Sequence, residues 1–275
     1  MLFRLCLGTR LIRAFMLSAG FATVGPLAVA AHEFWIEPDL YQVDSGALVV
    51  AQLRNGEKFE GVALGYFDRR TTRFERVTDG KATPIAPRIG DIPAINVTPD
   101  QDGLMILIHE TAPSTLSYKS WAKFRAFADH KGFDDIERRH ADRGLPTEAF
   151  KENFTRHAKA LVGVGDGPGS DRAFGLETEF VAGANPYIDN LTDGFPVLLH
   201  YRGAPRLNAQ IEMFEKTPDG AVTVTLHRTD DKGRARLPVK PGHSYLLDAV
   251  VLRPAPESDD AVWETLWATL SFAVP

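Results

Sequence analysis

The residue with the clearest potential for chemistry is His32, in the segment AHEFWIEP that follows a long uncharged stretch. If the chain is cleaved after Ala30, the Ala31 amine, the His32 backbone nitrogen and the His32 ring nitrogen form adjacent chelate rings that suit Ni(II) or Cu(II). If cleavage follows Ala31, the amine and imidazole of His32 form a two-nitrogen ligand that a distant histidine could complete. Ala31 and His32 are the predicted metal ligands. The other interpretation is that His32 is an ordinary residue before a strand.

The sequence contains seven other histidines, and none forms a pair at the spacing of a known metal site. Those in predicted strands or strand ends are candidates to complete a site with His32: His109, His200, His227 and His243. His130 and His140 lie near predicted helix ends, where solvation or the negative end of the helix dipole accounts for them. His157 is predicted to be a packed or capping residue and not a ligand.

Signatures of enzyme catalysis are absent from the sequence. It has no G-x-S-x-G elbow and no phosphate-binding loop, and its one cysteine, Cys6, lies in the basic amino-terminal segment. The stretch GVGDGPG follows a predicted helix and does not join a strand to a helix, so it indicates a linker and not a dinucleotide loop. We therefore predict a protein that is not an enzyme and has no cofactor beyond a metal ion.

The amino-terminal residues have the layout of a secretory signal peptide. Three arginines precede the uncharged stretch 14–31, which ends in small residues suitable for cleavage after Ala30 or Ala31. Two glycines and a proline interrupt this stretch, which argues against a helix that spans a membrane. We predict a cleaved signal peptide at 1–31, a periplasmic location and no membrane span in the mature chain.

The charge and length of the mature chain limit the classes of protein it can belong to. Without the three arginines of the signal, 28 basic residues stand against 36 acidic ones, a net charge of −8. Such a chain is expected to be soluble and to bind nucleic acid or anionic lipid poorly. About 244 residues without a thiol must be held by their core alone, and this length suits one large domain or two small ones.

Hydrophobic patterning predicts a mainly β protein with an inserted helical segment. Residues 32–116 contain alternating or β-branched runs divided by turn dipeptides such as Asn55-Gly56, which predicts an N-terminal β domain. Residues 176–275 show the same signals and predict an immunoglobulin-like or transthyretin-like β-sandwich. A flexible linker is expected at 165–175.

The helical insertion is predicted at 117–164. Apolar residues at helical spacing indicate one helix that ends at Gly132 and a second at about 134–143. A third helix is expected to begin near Thr147. Its apolar face would consist of Phe150, Phe154, Ala158 and Leu161.

An alternative function uses the sheet surfaces or the last predicted strand, WETLWATLSFAV. Trp263 and Trp267 share one face of this strand and could stack on a sugar ring. The alternative is therefore a binding or scaffolding module without metal, for a glycan or an envelope protein. Burial of both indoles would count against the aromatic platform.

Several segments together resemble a known family, the periplasmic bacterial domain of unknown function 4198, once described as a nickel-uptake substrate-specific region. The similar segments are AHEFWIEP, KFRAFADHKGF, RRHADRG, RHAKALVGVG, LETEFVAGANPY, TDDKGRARLPVKPG and WETLWATLSF. The resemblance spans nearly the whole mature chain and implies a periplasmic β-sandwich with an inserted helical bridge. It also implies handling of Ni(II), Co(II) or Cu(II), with His32 as the matching histidine and a membrane metal-uptake system as the partner.

Overall fold

The structure is a computed structural model that describes residues 32–257 and 259–275. The predicted signal peptide at 1–31, with Ala31, lies outside the described residues. Within the described ranges, the chain is mainly β with two α-helices and one short 3-10 helix at Asp68–Arg70. None of these helices is long and apolar enough to cross a membrane.

A ten-stranded sheet, the central sheet, runs through the whole molecule. In spatial order its main path is β15 (Val222–Arg228), β14 (Gln210–Lys216), β17 (Ser244–Pro254), β18 (Trp263–Ala273), β10 (Phe150–Val164), β8 (Gly103–Thr111), β5 (Thr71–Thr78) and β6 (Lys81–Pro84). Two short strands, β2 (Gln42–Val43) and β9 (Ser114–Tyr118), pair with β10. Because β10 pairs with β8 on one side and with β18 on the other, strands from both predicted β regions belong to one sheet.

Two four-stranded sheets cover opposite faces of the central sheet. The N-terminal sheet contains β1 (Glu33–Pro38), β3 (Val49–Glu57), β4 (Glu60–Leu64) and β7 (Ile95–Val97). The C-terminal sheet contains β11 (Thr178–Ala182), β12 (Phe195–Tyr201), β13 (Ala204–Pro205) and β16 (Arg234–Leu237). Along β10, Leu161 packs with Phe180 of the C-terminal sheet, whereas its neighbour Val162 packs with Ile36 of the N-terminal sheet. This alternation is that of a strand covered on both faces, and it confirms the predicted β-sandwich.

The helices α1 (Trp121–His130) and α2 (Ile136–Asp142) confirm the first two predicted helices. Phe124 stacks on Trp263 at a ring distance of 5.9 Å, and Phe127 stacks on Trp267 at 5.7 Å. Both indoles are buried, with 0% and 4% of their surface exposed. The predicted aromatic platform on β18 is therefore wrong: the helices cover the face that a sugar would need.

The predicted third helix is also wrong, because its residues form β10. Apolar residues at positions 150, 154, 158 and 161 match a helical face. In the structure, however, every residue of Ala158–Val164 is buried, and Lys159 is the one charged side chain among them. A continuous buried run is typical of a central strand covered on both faces. The period alone could not distinguish the two structures.

The hairpin turn predicted at Asn55-Gly56 lies three residues further along the chain. Asn55 and Gly56 belong to β3, and the turn is made by Lys58 and Phe59, whose φ angles are +52° and +60°. Gly56 is needed for a different reason: a Cβ at this position would lie 1.9 Å from the carbonyl oxygen of Glu60 on the facing strand. The glycine therefore permits close approach of two strands and does not form the turn.

Residues 165–175 contain no helix or strand, as expected of a linker, but they are fixed to the sheet. The ammonium of Lys159 on β10 donates to both carboxylate oxygens of Asp171 at 2.8 Å. Asn185 Nδ2 also donates to the carbonyl oxygen of Gly167 at 2.7 Å. Asp171 and the Gly167 carbonyl therefore anchor this connection to the rest of the fold.

Candidate functional site

His32 lies directly before β1 with an exposed side chain. Its carbonyl oxygen accepts a hydrogen bond from Arg156 Nη2 at 3.2 Å, which ties this part of the backbone to β10. Its ring atom Nε2 lies 3.6 Å from Oε1 of Glu57 at the end of β3. The carboxylate of Glu57 therefore faces the Nε2 side of the His32 ring.

The four histidines that are candidates to complete a site with His32 lie in separate parts of the fold. His227 Nε2 is 2.9 Å from Thr225 Oγ1, and His243 Nδ1 is 2.7 Å from Glu215 Oε1. His200 is on β12 in the C-terminal sheet. Within residues 32–257 and 259–275, the one group of three or more metal-ligating side chains with neighbouring donor atoms contains no histidine.

His109 is the candidate closest to the amino-terminal strand, and it is buried between the rings of Phe34 and Phe74. Thr71 Oγ1 donates to the carbonyl oxygen of Phe67, so it accepts from His109 Nε2 at 3.1 Å. Burial lowers the pKa of His109 to about 3, so the ring is neutral. The arrangement places a neutral histidine in the core.

Two further histidines, His140 and His157, are explained by packing. His140 is buried, contrary to the expected solvation: its Nδ1 accepts from Trp263 Nε1 and its Nε2 donates to the carbonyl oxygen of Pro146, both at 3.0 Å. His157 is also buried, and its Nδ1 donates to the carbonyl oxygen of Trp267 at 3.1 Å. His157 is therefore a packed residue, as predicted.

A group of buried charged side chains, the Lys131 cluster, lies where β1, the end of α1 and the strands β14 and β17 meet. It consists of Lys131, Glu33, Glu212 and Asp248, each exposed by 5% or less. Lys131 Nζ lies 3.2 Å from Glu33 Oε1 and 2.8 Å from Asp248 Oδ2, and it also contacts Glu212 Oε2. The ring of Trp267 is 4.9 Å from Nζ. The cluster connects four elements through one ammonium group.

The three carboxylates of the cluster have donor atoms within 4.8 Å of one another, a spacing that also suits a divalent cation. The ammonium of Lys131 contacts all three and supplies the positive charge there. His130 adds a contact from the surface, with its Nε2 2.7 Å from Glu212 Oε1. The arrangement is a buried ion-pair network, and its geometry is explained without a metal.

The pKa values in the cluster follow from burial and from this network. Burial raises the pKa of Glu33 to about 7, against the opposing effect of Lys131, and burial also raises the pKa of Asp248. Burial would raise the pKa of Glu212 as well, but hydrogen bonds from His130 and Lys131 outweigh it and lower that pKa. The pKa of Glu33 therefore lies near neutral pH.

The Lys131 cluster is not among the sites predicted from the sequence, although the sequence carries signals for it. Glu33 directly follows His32, and Lys131 lies in the segment FADHKGF. Asp248 is a single acid within the apolar run YLLDAVVL, where a buried charge requires a partner. What the sequence does not indicate is which cation that partner is.

Comparison with known proteins adds a family to this geometry. A search of curated proteins found no match to the chain. The sequence model of the family described as "Domain of unknown function (DUF4198)" matches residues 29–253. The matched range contains His32, Glu57 and all four members of the Lys131 cluster. The chain therefore belongs to the DUF4198 family of domains of unknown function.

Proposed function

We propose that this protein is an exported, non-enzymatic metal-capture protein that binds Ni(II), Co(II) or Cu(II) at its processed amino terminus. In this function it would hand the metal to a membrane uptake system. The observation that carries the proposal is the position of Glu57 Oε1, 3.6 Å from Nε2 of an exposed His32. This contact orients the one histidine that lies beside both cleavage positions.

The chemistry at the terminus depends on Nδ1 in both cleavage modes. A chelate ring that starts at a free amine, of either Ala31 or His32, closes through Nδ1 of His32. Glu57 faces the other ring nitrogen, which is how carboxylates commonly orient metal-binding imidazoles. The bond from Arg156 to the His32 carbonyl limits the freedom of the backbone that carries these donors. Both contacts lower the entropy that metal binding would otherwise cost.

The test is a titration of the secreted, untagged protein with Ni(II) and Cu(II), followed by visible absorption. Intact mass establishes the amino terminus before the titration. A band that saturates at one equivalent, and that is lost in His32→Ala and in a protein with an amino-terminal extension, supports the proposal. His227→Ala, which replaces a partly exposed histidine on β15, is the matched control. Equal binding by wild type, His32→Ala and the extended protein contradicts it.

A further inference from the structure

A cavity of about 350 Å³ opens between the N-terminal sheet and the central sheet, at the end where their shared core stops. Its wall contains residues of β1, β3, β4, β5, β8, β9 and β10. Five apolar side chains line it: Phe34, Leu53, Leu64, Phe67 and Phe154. Its volume is at the lower end of the range for small-molecule sites.

The cavity is also lined by Arg156, whose side chain is partly buried. Nη2 of Arg156 donates to the His32 carbonyl, and the ring of Phe154 lies 4.6 Å from the guanidinium carbon. Within the described part of the chain, Arg156 forms no ion pair with a carboxylate. Burial lowers the pKa of Arg156 to about 10, so the group is charged at neutral pH. An arginine with little access to solvent normally has an acidic partner, and no carboxylate of the described residues lies within ion-pair distance of Arg156.

The acidic groups behind Arg156 do not supply that partner. Glu33, Asp248 and Glu152 act on the guanidinium only at longer range. Glu33 and Asp248 already bind Lys131, and Glu152 is buried with its pKa raised to about 7. The carboxylates on this side of the sheet are therefore engaged or partly neutral.

The open side of the cavity carries a second unpaired cation. Arg70 lies at the mouth, exposed, with its guanidinium carbon 5.6 Å from the ring of Phe67. Arg70 forms no ion pair among residues 32–257 and 259–275, and the residues that line the cavity include no aspartate or glutamate. His109 in the wall is neutral. The cavity thus combines two cationic groups with an apolar wall.

We propose that this cavity binds a small carboxylate with an apolar body. Arg156 and Arg70 would hold the carboxylate, because the arginine fork matches the geometry of two carboxylate oxygens. The apolar body would lie against Phe34, Phe154 and Leu64, which an inorganic anion would leave uncovered. The proposal goes beyond metal capture and does not depend on it, because His32 is not among the residues that line the cavity.

The experiment is calorimetric titration of metal-free full-length mature protein with benzoate and hexanoate as probes. Benzamide, which has the shape of benzoate without its charge, is the matched neutral probe. Saturable binding of at least one carboxylate at one site is expected, with benzamide weaker than benzoate by about tenfold or more. Absence of saturable binding by both carboxylates, or equal affinity for benzoate and benzamide, overturns the proposal.

Variants distinguish this site from the metal site. Arg156→Lys keeps the charge but loses the fork, and it should weaken carboxylate binding by about tenfold. Ser114→Trp changes an exposed lining residue and should block the cavity without altering the core. Arg88→Gln, on a separate exposed loop, is the control. His32→Ala should leave benzoate binding unchanged, so the two proposals can fail separately; unchanged affinity in Ser114→Trp and Arg156→Lys contradicts the cavity site.

Discussion

The ammonium of Lys131 lies 3.2 Å from the carboxylate of Glu33, although 98 positions of sequence separate the two residues. The contact joins the end of α1 to the first strand of the N-terminal sheet. Two further carboxylates from the central sheet, of Glu212 and Asp248, bind the same ammonium. The junction between three parts of the fold therefore depends on one buried cation. If either the ammonium or the carboxylates are removed, the opposite charge stays buried without a partner. The loss of one partner from a buried ion pair destabilises a protein strongly.

Replacement of Lys131 by methionine is expected to destabilise the protein strongly. Three buried carboxylates would lose their shared cation, and the free energy of unfolding should fall by about 3–5 kcal/mol. Urea denaturation followed by tryptophan fluorescence measures this loss, since Trp267 lies 4.9 Å from Nζ. Lys123→Met on the exposed face of α1 is the control, and its effect should be within about 0.5 kcal/mol. A loss in Lys131→Met no larger than in the control would show that the network contributes little to stability.

Glu33→Gln is expected to flatten part of the pH dependence of stability. The pKa of Glu33 is raised in the folded protein from 4.5 to about 7, so between these values the folded state binds more protons than the unfolded state. Stability of the wild type therefore falls as pH rises through this window, by roughly 3 kcal/mol in total. Glutamine carries no titrating proton and does not show this fall.

The measurement is urea denaturation of both proteins at pH 5, 6, 7 and 8. His130 acts in the same direction, since its hydrogen bond with Glu212 raises its pKa and the stabilising charge is lost as pH rises through that value. This histidine is present in both proteins, so its contribution cancels in the difference apart from the effect of the Glu33 charge on its pKa. A difference that stays constant with pH would contradict the prediction.

His109→Gln is expected to protect the fold against mild acid. Burial lowers the pKa of His109 from 6.5 to about 3, so below pH 6.5 the unfolded state binds more protons than the folded state. The free energy of unfolding therefore falls as pH falls, by about 1.4 kcal/mol for each pH unit below 6.5. Denaturation of wild type and variant from pH 7 to pH 5 measures the difference. His32→Gln, with an exposed ring, is the control; a parallel fall in wild type and His109→Gln would count against a neutral buried ring.

Glu57→Gln is expected to weaken binding of Cu(II) at the proposed amino-terminal site without abolishing it. The carboxylate faces His32 Nε2 and orients the imidazole, and loss of such a partner commonly reduces metal affinity by about tenfold or more. Competition titration with a chelator of known affinity measures the change. Glu60→Gln, on the facing strand of the same hairpin, is the matched control. Equal affinities in the two variants would remove Glu57 from the proposed site.

The local patterns were sufficient for fold class and for two helices. Alternating side chains and turn dipeptides predict the β structure. The spacing of Phe124 and Phe127 before Gly132 predicts α1. The same kind of pattern misled at β10, where apolar residues at helical spacing belong to a strand buried on both faces. It also misled at Asn55-Gly56, where the glycine serves strand contact and the turn follows.

The sequence by itself determined that the chain is mainly β, that α1 and α2 interrupt it and that it belongs to the DUF4198 family, since these properties depend on neighbouring residues and on similarity along the chain. Only the tertiary structure decided that β10 and β18 are parallel neighbours and that both indoles of β18 are buried. It also decided that Lys131 joins Glu33, Glu212 and Asp248. These contacts link residues far apart in sequence. Because the packing that brings them together leaves no periodic pattern in the local sequence, they could not be predicted from that pattern.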